Sequence, residues 1–329
     1  MVDERTTSTN QHILPLSRRR MVQVGATAAA APFLIGARAD ASETEIFGDG
    51  TGINTEEGPR QQAPAQVQGE GLLPANRILT YYGFPTNPFM GILGEYGVND
   101  DLDGLRDALL AQAAEYDAAD PSTPVQIGFE VIASVAQEDA GSDGMFLVYT
   151  DPELIQQYVD YTAANGMILF LDYQFGMHPV QDELDAFAPW LEYEHVHLAL
   201  DPEFKMLPGE QPGVDLGSID AADVIIAQET LVAGCAALGL PPKVLVIHQF
   251  YYTMIQNKEQ LAPLPGVQLV IDMDGHGDPD LKRESYAVVI AQEPIEFHGV
   301  KLFYPLDEPL MTAQEVVDLE PSPHWVCYQ

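Results

Sequence analysis

The chain has 329 residues, 46% of them hydrophobic, which is enough for one sizeable core. Fifty Asp and Glu stand against 14 Lys and Arg, a net charge of −36. That balance excludes nucleic acid as a partner, because phosphate recognition needs a basic stripe, and it disfavours anionic membrane surfaces.

The acid is spread along the whole chain rather than gathered in a tail, and lysine is scarce. Such a surface stays hydrated where salt screens its self-repulsion. In this respect the chain resembles proteins of salt-loving archaea and bacteria. Any single surface carboxylate is therefore weak grounds for a functional role. Cys235 and Cys327 fall in a helical stretch and in the last strand, the pattern of two buried thiols rather than a cystine.

Residues 1–39 read as an export signal. Ser17, Arg18, Arg19 and Arg20 precede an apolar run from Met21 to Gly36 that is too short and alanine-rich for a membrane span. Ala37 and Ala39 then offer the small residues a signal peptidase reads. The arginine pair resembles a twin-arginine signal, which implies export of a folded protein, secreted or held outside the cell envelope. No stable membrane insertion is expected once the signal is removed. Residues 40–75, rich in Gly, Glu, Gln, Pro and Thr, read as a disordered acidic linker.

From Asn76 onward strands and helices alternate. The spacing predicts strands at Ile78–Gly83, Gln126–Ile132, Met167–Tyr173, Val196–Asp201, Val244–Phe250, Val267–Asp274, Lys301–Leu306 and Trp325–Tyr328. Helical patterns lie between them, at Asp101–Ala118, Asp151–Asn165, Pro179–Glu192, Ser218–Leu238, Thr253–Gln260, Asp278–Gln292 and Thr312–Leu319. Eight strands and seven helices in one domain, residues 76–329, match a (β/α)8 TIM barrel whose last helix is missing. The rival, a doubly wound open sheet, usually carries a G-x-G-x-x-G loop after its first strand. Gly91, Gly94 and Gly97 do not have that spacing.

In such a barrel the site lies at the C-terminal ends of the strands. Asp172, Asp201, Glu203, His248, Asp272 and Asp274 are placed there facing inward, with Glu130, Gln249, His276, Asp307 and Glu308 at or just past strand ends. Tyr81, Tyr82, Tyr173 and Tyr304 lie at the same level, and flat rings beside carboxylates suit sugar rings. The expected partner is thus a small molecule or glycan. Its binders would be Tyr81, Tyr82, Glu130, Asp172, Tyr173, His248, Gln249, Asp272 and Tyr304.

Glu203 after strand four and Asp307 or Glu308 after strand seven resemble the layout of barrel glycoside hydrolases, the retaining clan whose two glutamates follow those strands. Asp201, Pro202 and Glu203 are similar to the end of the chitinase-type D-x-E motif. The asparagine that precedes the acid in the first family and the longer acidic motif of the second are absent. The resemblance implies Glu203 as general acid, Asp201 as its ionised neighbour and Asp307 or Glu308 as nucleophile or base, with no cofactor required. Two alternatives stay open. Asp272, Asp274 and His276 offer ligands for a divalent metal serving phosphoester or acyl hydrolysis. A barrel mouth can also bind a ligand without catalysis.

The charge makes the first testable prediction. Thermal melts across a KCl series should show folding favoured by molar salt and weakened at low ionic strength. A melting point indifferent to salt would remove the halophile reading.

Overall fold

Period-two alternation of apolar residues builds a closed ring in the computed structural model, which describes residues 67–97 and 99–329. The ring consists of β1 (Arg77–Gly83), β2 (Val125–Ala136), β3 (Ile168–Tyr173), β4 (Val196–Leu200), β5 (Lys243–Gln249), β6 (Val267–Met273), β7 (Phe297–Leu302) and β8 (Trp325–Tyr328). Each strand pairs in parallel with the next. Ile78 then pairs with Trp325, so β8 closes on β1. The fold is a (β/α)8 barrel, as the strand count predicts.

Helices cover the outside. α1 (Ile92–Gly97) and α2 (Leu102–Ala119) follow β1, while α3 (Pro152–Ala164), α4 (Val180–Leu191) and α5 (Ala221–Leu238) follow β2, β3 and β4. α6 (Pro279–Tyr286) follows β6, and α7 (Ala313–Val317) follows β7. Short polar side chains start most of them by satisfying first-turn N–H groups. Asp101 accepts from Gly104 N, Asp151 from Glu153 N, and Asp220 from Ala222 N. Thr312 and Glu315 form a reciprocal capping box at α7. Gly239 ends α5 at φ 70°, a left-handed conformation that glycine adopts without a Cβ clash.

Alternate residues of each strand enter two different cores. Outward residues such as Leu169, Leu171, Leu198, Leu245 and Ile271 pack against the helices in one continuous layer. Inward residues, among them Ile78, Ile168, Phe170, Val244, Val246 and Trp325, fill the barrel interior. Each such side chain contributes about 1.5–3 kcal/mol by leaving water.

The observed elements depart from the sequence reading in definable places. Strand seven runs from Phe297 to Leu302 rather than from Lys301 to Leu306, because Phe303 to Leu306 already turn out of the ladder. Thr253–Gln260 is not a helix. Ile255 and Gln256 pair instead with Ile219 and Asp220, and Lys258–Gln260 forms a single 3₁₀ turn. β2 extends to Ala136 through an irregularity between Ile132 and Ser134, and its end carries an antiparallel strand, Leu147–Tyr149. The helical pattern at Asp278–Gln292 splits into α6 and a π turn at Ala287–Ala291.

The export signal and residues 40–66 of the linker lie outside the described residues. Residues 67–75 lie against the N-terminal end of the barrel. Gln68 N donates to Leu240 O, and the Gln268 side chain both accepts from Leu73 N and donates to Leu73 O. Leu73 is buried there, joining the interior core.

That floor holds histidines that resist charging. His197 points inward, and its Nδ1 accepts from Val244 N at 3.1 Å, which fixes a neutral tautomer. Burial, with Lys243 and His195 adding to it, holds its pKa well below the usual value. Burial, aided by His298 and Arg77, likewise lowers His324 to about 4. These depressed bases take up protons in the unfolded chain first. Their contribution to stability is therefore intact above about pH 6.5 and is lost as pH falls from there toward the folded values. His197→Asn keeps an acceptor for Val244 N and cannot titrate. Its melting temperature relative to wild type should therefore improve steadily as pH falls below about 6.5, a trend that parallel melts at pH 7, 6 and 5 would reveal.

Candidate functional site

The inner wall turns from apolar to ionisable toward the C-terminal ends of the strands. Phase explains the change, since the inward position two residues beyond the last interior apolar one is polar on several strands. Ile78 and Thr80 lead to Tyr82 on β1, Phe170 to Asp172 on β3, and Ala199 to Asp201 beyond β4. Val246 leads to His248 on β5, and Val270 to Asp272 and Asp274 on and just beyond β6. Glu130 projects inward from the middle of β2, and Lys301 from β7.

His248 is the hub. Its Nε2 lies 2.8 Å from Glu130 Oε1 and 3.9 Å from Asp172 Oδ1. Its Nδ1 lies 2.9 Å from Asp272 Oδ2 and 3.7 Å from Asp274 Oδ2. All five side chains are buried. Lys301 Nζ is 3.4 Å from Asp274 Oδ2 and stands 3.6 Å above the Tyr82 ring, so it is held by an ion pair and a cation–π contact together.

Neutral donors tie down the far side of each acid. Cys327 Sγ donates to Glu130 Oε2 at 3.2 Å and Thr80 Oγ1 to the same atom at 3.4 Å. Tyr82 OH donates to Asp172 Oδ2 at 3.1 Å. Asp172 Oδ1 and Asp272 Oδ1 are buried with no hydrogen-bond partner.

Burial sets the protonation states. Loss of solvent, then the charges of Asp201 and Glu130, raises the Asp172 pKa well above the carboxylate range, against the opposing pull of His248 and Lys301. Burial likewise pushes Asp272 up to about 6 despite its bond to His248. For His248 burial works against the charged form, yet Glu130 and Asp272 prevail and its pKa is well above the ordinary one. The interior thus retains protons at neutral pH and can hand them on, the electrostatic prerequisite of acid–base chemistry.

Glu203 sits above this cluster on a buried 3₁₀ turn, Pro202–Phe204, that directly follows β4. Proline sets the turn, and Asp201 Oδ1 accepts from Glu203 N at 3.3 Å. Phe204 packs beside it, nearly buried.

Of the residues singled out in the sequence, Tyr82, Glu130, Asp172, Asp201, His248, Asp272 and Asp274 line one interior. Others lie elsewhere. Tyr81 and Tyr173 belong to the outer layer, Tyr81 edge-on to Tyr328 and Tyr173 stacked on Phe187. Gln249 organises the loop after β5, donating to Tyr251 O and Tyr252 O and accepting from Lys258. Tyr304 is half-exposed, stacked on Tyr328. His276 packs edge-on to Phe303 in the loop after β6.

Asp307 is buried with both oxygens engaged. Oδ1 accepts from Gly277 N, while Oδ2 accepts from Phe303 N and faces Lys282 Nζ at 2.9 Å. Glu308 beside it is exposed.

Among the described residues, two groups could hold a metal: Glu130, Asp172 and His248, and His248, Asp272 and Asp274, each with donor atoms within 4.8 Å of one another. Sequence reasoning missed Lys282 and Lys301. A signal existed, because Lys205, Lys243, Lys258, Lys282 and Lys301 are the chain's only lysines, and all but Lys205 are buried. No protein-family model matches the chain, and no curated protein matches it.

Lys282 staples the site's rim. Its Nζ pairs with Asp307 and donates to Gly275 O and Lys301 O, each at 2.7 Å, joining the loops after β6 and β7. Lys282→Met should cost about 3–5 kcal/mol, because a buried carboxylate is left uncompensated. Adding Asp307→Asn should recover part of that loss. Urea midpoints of the two variants would check it, and an unshifted midpoint for Lys282→Met would disprove the staple.

Proposed function

We propose that the chain is a hydrolase acting on glycosidic bonds, with Glu203 as general acid and Asp274 as its ionised partner. The observation that carries this reading is the convergence of buried carboxyls at the C-terminal end of one barrel, with Glu203 on the turn directly after β4. A barrel of this form is compatible with a hydrolase or a ligand-binding protein. Glu203 gives a proton to the departing glycosidic oxygen, and Asp274 takes one from the attacking water. Lys301 pairs with Asp274 at 3.4 Å. β4 and β6 are separated only by β5, about two strand spacings or roughly 10 Å of wall. A base that acts through water makes Glu203 and Asp274 an inverting pair.

Sugar recognition finds its support in rings on the same end of the barrel. Phe89, Tyr252 and Tyr304 lie on the loops that follow β1, β5 and β7, and all three are exposed. Such rings stack on the C–H faces of sugars. Export by the twin-arginine route would place the enzyme and its glycan outside the cell. A divalent-metal hydrolase of phosphoesters or acyl groups is the second reading, favoured by the two donor groups around His248.

A glycan panel followed by two variants tests the first reading. On any glycan that is turned over, Glu203→Gln should lower kcat by about 10²–10⁴ while the fold persists. Asp274→Asn should be similarly impaired, and the product should first appear with inverted anomeric configuration. Full turnover by Glu203→Gln would exclude it as the acid. If no glycan is turned over or bound, the carbohydrate reading falls.

A further inference from the structure

Three donor atoms inside the barrel share an arrangement that ion pairing alone does not require. Glu130, Asp172 and His248 each have one polar atom held by a neighbour and the other turned toward a common point. Glu130 Oε2 is held by Cys327 and Thr80, Asp172 Oδ2 by Tyr82, and His248 Nδ1 by Asp272. The remaining atoms are Glu130 Oε1, His248 Nε2 and the buried Asp172 Oδ1, which has no hydrogen bond. We propose that these three atoms bind one divalent cation of the Mn²⁺ or Zn²⁺ class.

The distances fit. Ligands about 2.0–2.2 Å from a metal lie roughly 3.0–3.5 Å from one another in octahedral or tetrahedral sites. Nε2 to Oε1 is 2.8 Å and Nε2 to Oδ1 is 3.9 Å, values that bracket that range. One imidazole and two carboxylates suit Mn²⁺ or Zn²⁺ better than Ca²⁺, which prefers an all-oxygen cage. Asp272 on Nδ1 provides the carboxylate–histidine–metal relay that fixes the tautomer of a ligating imidazole. Cation binding displaces the Nε2 proton shared with Glu130 together with any proton on Asp172, so affinity falls with acid. The site is independent of the glycosidase reading and differs from the Asp272, Asp274 and His276 set suggested by spacing.

The test is calorimetric titration of the chelator-stripped, full-length chain with MnCl₂, ZnCl₂, MgCl₂ or CaCl₂, each alone, in molar KCl to suppress binding by surface acid. About one equivalent of Mn²⁺ or Zn²⁺ should bind, with proton release. Asp172→Asn and Glu130→Gln should each weaken binding at least tenfold, and Asp272→Asn by about 10–100-fold. Glu203→Gln and His276→Ala should bind as wild type does, so loss of glycan turnover in Glu203→Gln leaves this site intact and separates the two readings. Should the ligand variants fail to fold, the unmutated chain loaded with Co²⁺ gives its own answer. Visible ligand-field bands of an imidazole–carboxylate complex support the site, and the spectrum of the hydrated ion counts against it. Absence of a stoichiometric site for Mn²⁺ and Zn²⁺, or wild-type affinity in folded Asp172→Asn, overturns the proposal.

Discussion

Charge taken out of water must find its counter-charge within the protein, and the barrel interior is arranged around that requirement. Glu130, Asp172, Asp272 and Asp274 all lie within 4 Å of one imidazole. At such distances a pair of unit charges interacts by about 4 kcal/mol at an effective dielectric of about 20. No single substitution in this set acts alone, because each acid shares its compensation with the rest. Thr80, Tyr82 and Cys327 are fixed in turn, since each donates to an acid that would otherwise be under-satisfied. The apolar outer layer supplies the stability that such a polar interior cannot.

The barrel is layered along its axis by this logic. Its floor carries histidines kept neutral, its middle holds the proton-rich cluster around His248, and its rim presents Glu203 and the exposed rings. Glu203 stands on a turn beyond its strand rather than inside it.

Much of this was legible in the sequence, because strands of a barrel announce themselves by alternation. Asp172, Asp201, His248 and Asp272 could be assigned inward from the aliphatic residues between them. Glu130 was harder to place. A strand drawn as ending at Ile132 sets it near the rim, whereas the real strand runs on to Ala136 and leaves it deep inside. Strand seven went astray for a related reason. Phe303 and Tyr304 extend the apolar run past the true end, so a strand drawn to Leu306 assigns Asp307 to the mouth. The backbone instead turns at Phe303, and Asp307 folds back to bond that turn. The helix expected at Thr253–Gln260 failed because two residues found a better partner in Ile219 and Asp220, a contact no local pattern reveals. Lysine was the overlooked clue. A chain that has all but emptied its surface of lysine keeps it where a buried carboxylate, ring or carbonyl demands one.

Closure of the ring by pairing Ile78 with Trp325 has a kinetic consequence. The first and last strands of the ring meet only after all eight have been made, and until then β1 and β7 each present an unpaired edge. Open edges are templates for pairing with other chains, and a loop this long closes against a substantial entropy. Synthesis of Trp325–Tyr328 therefore acts as the latch of folding.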